Sequence, residues 1–227
     1  MSFYTETTGY IIHQRNFKDS SLIIEFFSKD YGLMQLIAKG IKNNKQLKSQ
    51  IHYFSLLKIQ FFGKSQLKTI TSINVISTVE FKDLITKTAA LYLNELIHLS
   101  LPVNEKTHSV FQCYVEVLSR LDLQKLTPLL RKFEFVILKH NGFELNADQF
   151  SESEQWLKVD NINGLEVTID KSKKICTVND YQYFLSGSKL NKSLKIRINK
   201  LMVNMIDLSV SYKRIYSREL LKELTSK

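Results

Sequence analysis

The apolar residues of this chain change their spacing once, near Phe81, and that change limits the folds open to it. Before Phe81, short runs rich in β-branched and aromatic residues follow one another: Gly9–Arg15, Ser21–Phe27, Leu33–Ala38, Phe54–Phe62 and Leu67–Val79. Turn-forming residues separate them at Asn16–Asp19, Lys29–Gly32 and Gly63–Gln66, and a longer polar, basic connection, Lys39–Gln50, follows the third run. Five strands with one long connection predict a small β-barrel, of the OB type or, from pattern alone, the SH3-like type.

After Phe81 the period becomes helical. Phe81–Leu101 predicts a helix with Leu84, Ala90, Leu91 and Ile97 available for a buried stripe, ended by Pro102. His108–Leu121 predicts a second, with Phe111, Tyr114, Leu118 and Leu121 on one side. A third opens at Thr127-Pro128, Thr127 as N-cap and Pro128 in the first helical position, and closes at Gly142. Helical periodicity then fails over residues 146–184. Trp156–Val159, Leu165–Ile169 and Lys174–Val178 read as short strands around a turn at Asn161–Gly164. A helix over about Leu190–Leu208 and a short one over Ser217–Leu224 complete the chain. The expected fold class is α+β, with a barrel domain over 1–80. A mainly helical domain covers 81–227, with a strand-rich insert at about 146–185. With no Gly/Ser linker between them, the helices are expected to pack on the barrel as one compact unit.

Charge is segregated along the 227 residues, whose net is +10. Residues 1–80 carry ten Lys/Arg against five Asp/Glu, and residues 186–227 carry ten against three, while 81–150 balance at eight each and 151–185 carry four against six. A composition rich in Lys, Asn and Ile raises total charge without choosing where it falls. Basic ends and a neutral-to-acidic middle point to an acidic partner. No apolar run approaches the length of a membrane span. The opening residues Met1–Glu6 lack the basic and apolar regions of a signal peptide, so a cytoplasmic location is expected.

Catalytic patterns are missing. Gly63-Lys64-Ser65 resembles the end of a phosphate-binding loop, but Lys58 stands where the earlier glycine belongs, so the segment reads as a hairpin turn. Glu80-Phe81-Lys82 has the acid-x-Lys spacing of some metal-dependent nucleases without the partner aspartate. The five histidines, His13, His52, His98, His108 and His140, have no His or Cys at i+3 or i+4. With only Cys113 and Cys176 besides, the sequence shows no metal set and no disulfide framework. No enzyme activity and no cofactor are expected.

Binding patterns are present. Arg15, Lys18, Lys39, Lys42, Lys45, Lys48, Lys64 and Lys68 fall in or beside the loops of the barrel half, interleaved with Phe17, Tyr31, Tyr53, Phe61 and Phe62. Cations that follow a phosphate backbone and rings on which bases stack are what single-strand binding requires. Phe26, Phe61 and Phe62 fit the barrel interior better than a binding face, while Phe17 and Tyr31 fall in turns. In the last long helix Leu190, Leu194, Ile198, Leu201, Met205 and Leu208 share one arc, and Lys189, Lys192, Lys195 and Lys200 lie opposite. Lys213, Arg214 and Arg218 follow.

Taken in order, several segments resemble the RecO family of bacterial recombination proteins: Gly9–His13, Asp19–Leu22, Tyr31-Gly32, Ala38–Gly40, Leu67–Ile70, Ala90–Leu96, Phe111–Tyr114, Leu130–Glu134 with Gly142-Phe143, Ser186-Gly187, and Ile215–Leu220. The resemblance implies an N-terminal OB fold, binding of single- and double-stranded DNA, and annealing of complementary strands. It also implies partnership with RecR and with single-strand-binding protein during recombinase loading. Many relatives hold zinc with four cysteines after the third helix; here that stretch, Asn146–Ser186, has only Cys176, so that zinc site is expected to be absent. The family's acidic tail partner suits Arg131, Phe135 and Lys139, which follow one another at every fourth position, with Arg197 and Lys200 attracting its upstream acids. An RNA-binding OB protein and a metal-dependent nuclease using Glu80 and Lys82 are the alternatives.

Overall fold

The first two strands carry buried apolar residues on both faces, and that decides what surrounds them. The computed structural model describes residues 4–143, 155–161, 164–170, 174–187 and 189–226, the side chains of Lys42 and Gln46 excepted. Strands β1 (Thr5–Phe17), β2 (Ser21–Ser28), β3 (Gly32–Ala38), β4 (Ser55–Phe62) and β5 (Leu67–Thr78) close a barrel in the order β1-β2-β3-β5-β4. Every pairing is antiparallel except β3 with β5, where Gln35, Leu36 and Ile37 face Leu67, Lys68 and Thr69 in parallel. This is an OB-type barrel, and the SH3-like alternative is set aside.

Ile11, Ile24, Phe26, Met34, Leu36, Leu57, Ile59, Phe61, Ile70 and Ile73 fill its interior. The connection after β3 contains a 3-10 turn, Ile41–Asn43, and a single helical turn, α1 (Lys45–Lys48), capped by Asn44. Ile41 joins the interior cluster and Leu47, Ile51 and Tyr53 pack against it, so this basic segment plugs one end of the barrel. At the β2–β3 turn, Gly32 has φ +69°, and a Cβ there would lie 1.8 Å from the Glu105 carbonyl oxygen. Only glycine meets both demands.

Tyr10, Ile12, Ile23 and Phe27 are also buried, although they are absent from the interior cluster. Their cover is helical. α2 (Leu84–Ser100) starts at Asp83, whose carboxylate accepts from the Thr86 N–H, and α3 (His108–Arg120) follows the Pro102 break. Tyr10 and Phe27 stack edgewise on Tyr114 of α3, at 5.2 and 5.8 Å between ring centres. The Tyr114 hydroxyl donates to Asn94 Oδ1 at 2.8 Å, and Asn94 Nδ2 reaches the carbonyls of Ile11 and Ile12 at 3.5 Å. Those carbonyls sit at a β-bulge in β1, where the ladder has a carbonyl to spare. The last helix, α7 (Tyr216–Thr225), lies against α2. Its cap residue Ile215 offers no side-chain acceptor, and the Glu95 carboxylate of α2 supplies one, accepting from the Tyr216 N–H at 2.9 Å, the Ser217 N–H at 2.8 Å and the Ser217 hydroxyl.

The barrel therefore belongs to a unit formed by Met1–Phe133 with Arg214–Lys227, and Glu134–Lys213 forms a second unit. The expectation of one compact body is corrected. The barrel wall holds α2 and α3 over its outer face, and α2 in turn holds α7. In the first unit the stripe expected for α2 holds at Ala90 and Ile97, which are buried, and is corrected at Leu84 and Leu91, which are exposed; Ala89, Leu93 and Leu96 complete the buried face. Asn94 and Thr86, polar as they are, belong to the buried face.

α4 (Leu126–His140) begins one residue before Thr127, after a 3-10 turn, Leu123–Lys125, capped by Asp122. Thr127 and Pro128 thus lie inside its first turn, which corrects Thr127 as N-cap. Pro128 is tolerated there because the first N–H groups of a helix have no internal partner. Gly142, at φ +79°, ends the helix as expected, with the Phe143 N–H bonded to the Leu138 carbonyl.

Within the second unit β6 (Trp156–Asp160) is central to a sheet of order β7-β6-β8, with β7 (Gly164–Thr168) and β8 (Cys176–Thr177). The expected turn at Asn161–Gly164 lies partly outside the described residues, as does part of the Asn146–Ser186 stretch. A helix unforeseen in the sequence, α5 (Val178–Leu185), follows β8. Its signal was legible: Thr177 and Asp180 form a capping box. α6 (Lys192–Ser209) packs on the sheet and on α5, burying Leu194, Ile198, Leu201, Met202, Met205 and Ile206.

Candidate nucleic-acid interface

Strand direction sorts the barrel's cations. β1 and β3 run the same way, so the β1–β2 turn and the β3–β4 connection leave from one end of the barrel. Arg15 and Lys18 sit at that turn, and Lys39, Lys45 and Lys48 line the connection, all exposed. Asn16 pairs with Leu22 and Leu22 with Ala38, which sets Lys39 close to the turn in register. Lys42 lies in the 3-10 turn, and its side chain is outside the described residues. Lys64 belongs to the β4–β5 turn, which faces the opposite way. Because Leu67 pairs with Gln35, this turn enters beside the middle of β3 rather than beyond its end. Lys68, half-buried, bonds from Nζ to the Ser65 carbonyl at 3.4 Å. Gly63-Lys64-Ser65 is a hairpin turn, as its sequence indicates.

Among the rings, Phe26 and Phe61 are interior, as expected. Phe62 is not: it is 40% exposed and lies edgewise to Tyr4, the ring centres 6.2 Å apart. The interior reading of Phe62 is corrected by strand alternation, which turns it outward once Phe61 points in. Tyr31 is exposed and packs edgewise on Phe61. Phe17 is half-buried with Lys18 Nζ 5.6 Å from its ring centre, and Tyr53 is half-buried. Exposed aromatic surface thus occurs near the β2–β3 turn and along the outer face of β4.

On α4, Arg131 and Phe135 are half-buried and Lys139 is exposed. Lys132, beside Arg131, bonds Glu116 of α3 at 2.6 Å. In the second unit Lys200 is exposed, but Arg197 donates to both carboxylate oxygens of Asp180, at 3.1 and 3.2 Å, so its charge is engaged between α5 and α6. Lys189, Lys192 and Lys195 are exposed as expected, although the exposed Ile196 interrupts that face. In the first unit Arg214 is held by Glu219 and lies over the Tyr216 ring.

Glu80 and Lys82, the pair named for the nuclease alternative, flank the barrel-to-helix junction. Phe81 packs edgewise on Phe54, Glu80 and Lys82 are exposed on either side of it, and the next acid, Asp83, caps α2. The histidines, scattered in sequence, are not all scattered in space. His13 and His98 stack at 4.4 Å between ring centres, and His98 Nδ1 lies 2.6 Å from Glu25 Oε2. Burial first, and then the charge of His98, hold the His13 imidazole below its ordinary range, against the pull of Glu25.

Two family models match the chain in succession: Recombination protein O N terminal over residues 1–79 and Recombination protein O C terminal over residues 82–158. Together they cover more than half of it. The chain belongs to the RecO family. Curated RecO proteins from Marinobacter nauticus and Glaesserella parasuis are 30% identical over 150 residues and 31% identical over 138. Those alignments cover 64% and 60% of this chain, and the chain spans about three fifths of the relatives' own length, 61% and 58%. An asparaginyl-tRNA synthetase of Entamoeba histolytica aligns at TM-score 0.31 and 12% identity over 76% of this chain and 41% of its own, too distant to bear on the fold. The two RecO models meet between residues 79 and 82, where β5 has ended and α2 is about to begin. The four-cysteine zinc set of many RecO relatives cannot be assembled here. The chain has two cysteines, and Cys176 is fully buried with its thiol pushed up to about 12 by that burial.

Proposed function

We propose that this chain is a recombinational-repair mediator. It binds single- and double-stranded DNA, anneals complementary strands, and with RecR exchanges single-strand-binding protein for recombinase, without catalysing a covalent step. The observation that carries the reading is family membership over both RecO models. The exposed cations Arg15, Lys18, Lys39, Lys45 and Lys48 at one end of the OB-type barrel support it. Toward the opposite end, where Lys64 lies, the outward rings of Phe62 and Tyr31 offer faces on which bases stack. Lys42, Lys64 and Lys68 extend the proposed DNA surface. α4, through Arg131, Phe135 and Lys139, receives the C-terminal tail of single-strand-binding protein, with Lys200 and, secondarily, Arg197 attracting its acids. Among the described residues no helix is long and apolar enough to cross a membrane, in keeping with a proposed site of action in the cytoplasm at the nucleoid.

Strand annealing on DNA coated with single-strand-binding protein, run with and without ATP, tests the proposal. Annealing that needs no nucleotide is expected. Failure to anneal, or preference for RNA over single-stranded DNA of equal length, overturns it.

A further inference from the structure

We propose that His13, Glu25 and His98 form a site for a divalent first-row transition metal, zinc foremost, on the outer wall of the barrel. Their ligand atoms, two imidazole nitrogens and a carboxylate oxygen, all lie within 4.8 Å of one another. They come from three elements, β1, β2 and α2, so no spacing rule along the sequence brings them together.

The β-bulge in β1 makes the cluster. Ile11 points into the barrel, and regular alternation would send His13 after it. The ladder shifts between Ile11 and His13, so His13 stays on the outer face directly opposite Glu25. Glu25 faces outward because Ile24 and Phe26 on either side of it face in. The last turn of α2 then lays His98 over both.

The donor set chooses the metal. Imidazole nitrogen with one carboxylate favours zinc, nickel, cobalt or copper over magnesium and calcium, which want oxygen alone. Three protein ligands leave a coordination position for water or for a group from a partner. The arrangement without metal also fits. The two imidazoles lie nearly parallel, 21° between planes, and adjacent protonated rings would repel; a shared cation gives both lone pairs a common partner. His98 and Glu25 already meet at hydrogen-bonding distance, where a metal would take the place of the shared proton. Tetrahedral zinc with bonds of about 2.0–2.1 Å sets its ligand atoms roughly 3.3 Å apart, so the rings must splay and draw in. The His98 and Glu25 side chains are 34% and 14% exposed, which leaves the imidazole room to turn while the carboxylate stays fixed.

Bound metal would staple α2 to β1 and β2. The site is independent of the DNA-binding proposal. Cobalt(II) titrated into the metal-free full chain should give visible d–d bands that saturate at one equivalent and disappear when zinc(II) is added. Zinc should also raise the thermal midpoint, because it binds the folded form. His13→Ala keeps the Glu25–His98 pair and so should fold; it should weaken binding about tenfold or more and remove the thermal shift. His98→Gln should do the same, and His108→Ala should change neither. Absence of saturable binding overturns the site. So does binding in His13→Ala as tight as in the parent, which would leave His98 and Glu25 a plain ion pair.

Discussion

Cys113 and Cys176 sit where a thiolate is costly. Burial pushes their thiols up to about 11 and about 12; Lys132 near the first and Arg197 near the second oppose the shift without reversing it. Since the thiolate is the nucleophile, both should resist iodoacetamide at about pH 8 while the chain is folded, and both should react in denaturant. Mass spectrometry of the quenched reaction reads this directly. An adduct formed on the native chain at the rate of free cysteine would show that the burial is wrong. Tyr114 occupies a comparable position among polar groups. It is fully buried, and its hydroxyl closes the bond to Asn94 that links α3, α2 and the β1 bulge. Tyr114→Phe leaves Asn94 Oδ1 without that donor, and a loss of about 1–3 kcal/mol in denaturant unfolding is expected.

α1, α2, α5 and α6 are capped by the residue before them, whereas the N-terminal N–H groups of α7 are satisfied from α2. Replacing Glu95 by Ala removes the acceptor of two N–H groups and one hydroxyl, a charge-assisted cap with a cost of about 1–2 kcal/mol. Hydrogen exchange should then accelerate over Tyr216–Thr225 while the barrel strands stay protected; uniform protection in the variant would refute the tether. α4 presents a different question, since Arg131, Phe135 and Lys139 are proposed to serve a partner. Arg131→Glu should abolish binding of the single-strand-binding protein tail peptide and leave direct DNA binding largely intact. If the folded variant binds the peptide as tightly as the parent, the tail docks elsewhere.

For the whole molecule, charge placement governs the DNA reading. If phosphate contacts dominate, the logarithm of affinity falls nearly linearly with the logarithm of salt, and each cation lost flattens that slope by about one unit. The double variant Lys39→Glu, Lys45→Glu should therefore weaken single-stranded and duplex DNA together and reduce the slope by about two. An unchanged slope would remove the plugged end of the barrel from the DNA surface.

The sequence by itself determined the order and kind of most elements. Alternation, helical spacing, Pro102 and Gly142 are local signals, and strands, helices and helix ends answer to local sterics and hydrogen bonding. It also placed most of the proposed DNA-binding cations in or beside loops, because charged side chains stay solvated. Tertiary structure alone decided which face of α2 is buried, since that depends on the barrel wall it meets and not on the residues nearest in the helix. It decided which segments pack together, Met1–Phe133 with Arg214–Lys227 in one unit and Glu134–Lys213 in another. It also joined Glu95 to Ser217, and His13 to Glu25 and His98, pairs separated by up to 122 positions. Such meetings depend on register, a bulge and helix docking, and a one-residue slip in β1 would turn His13 into the barrel. Spacing along the chain carries no record of that.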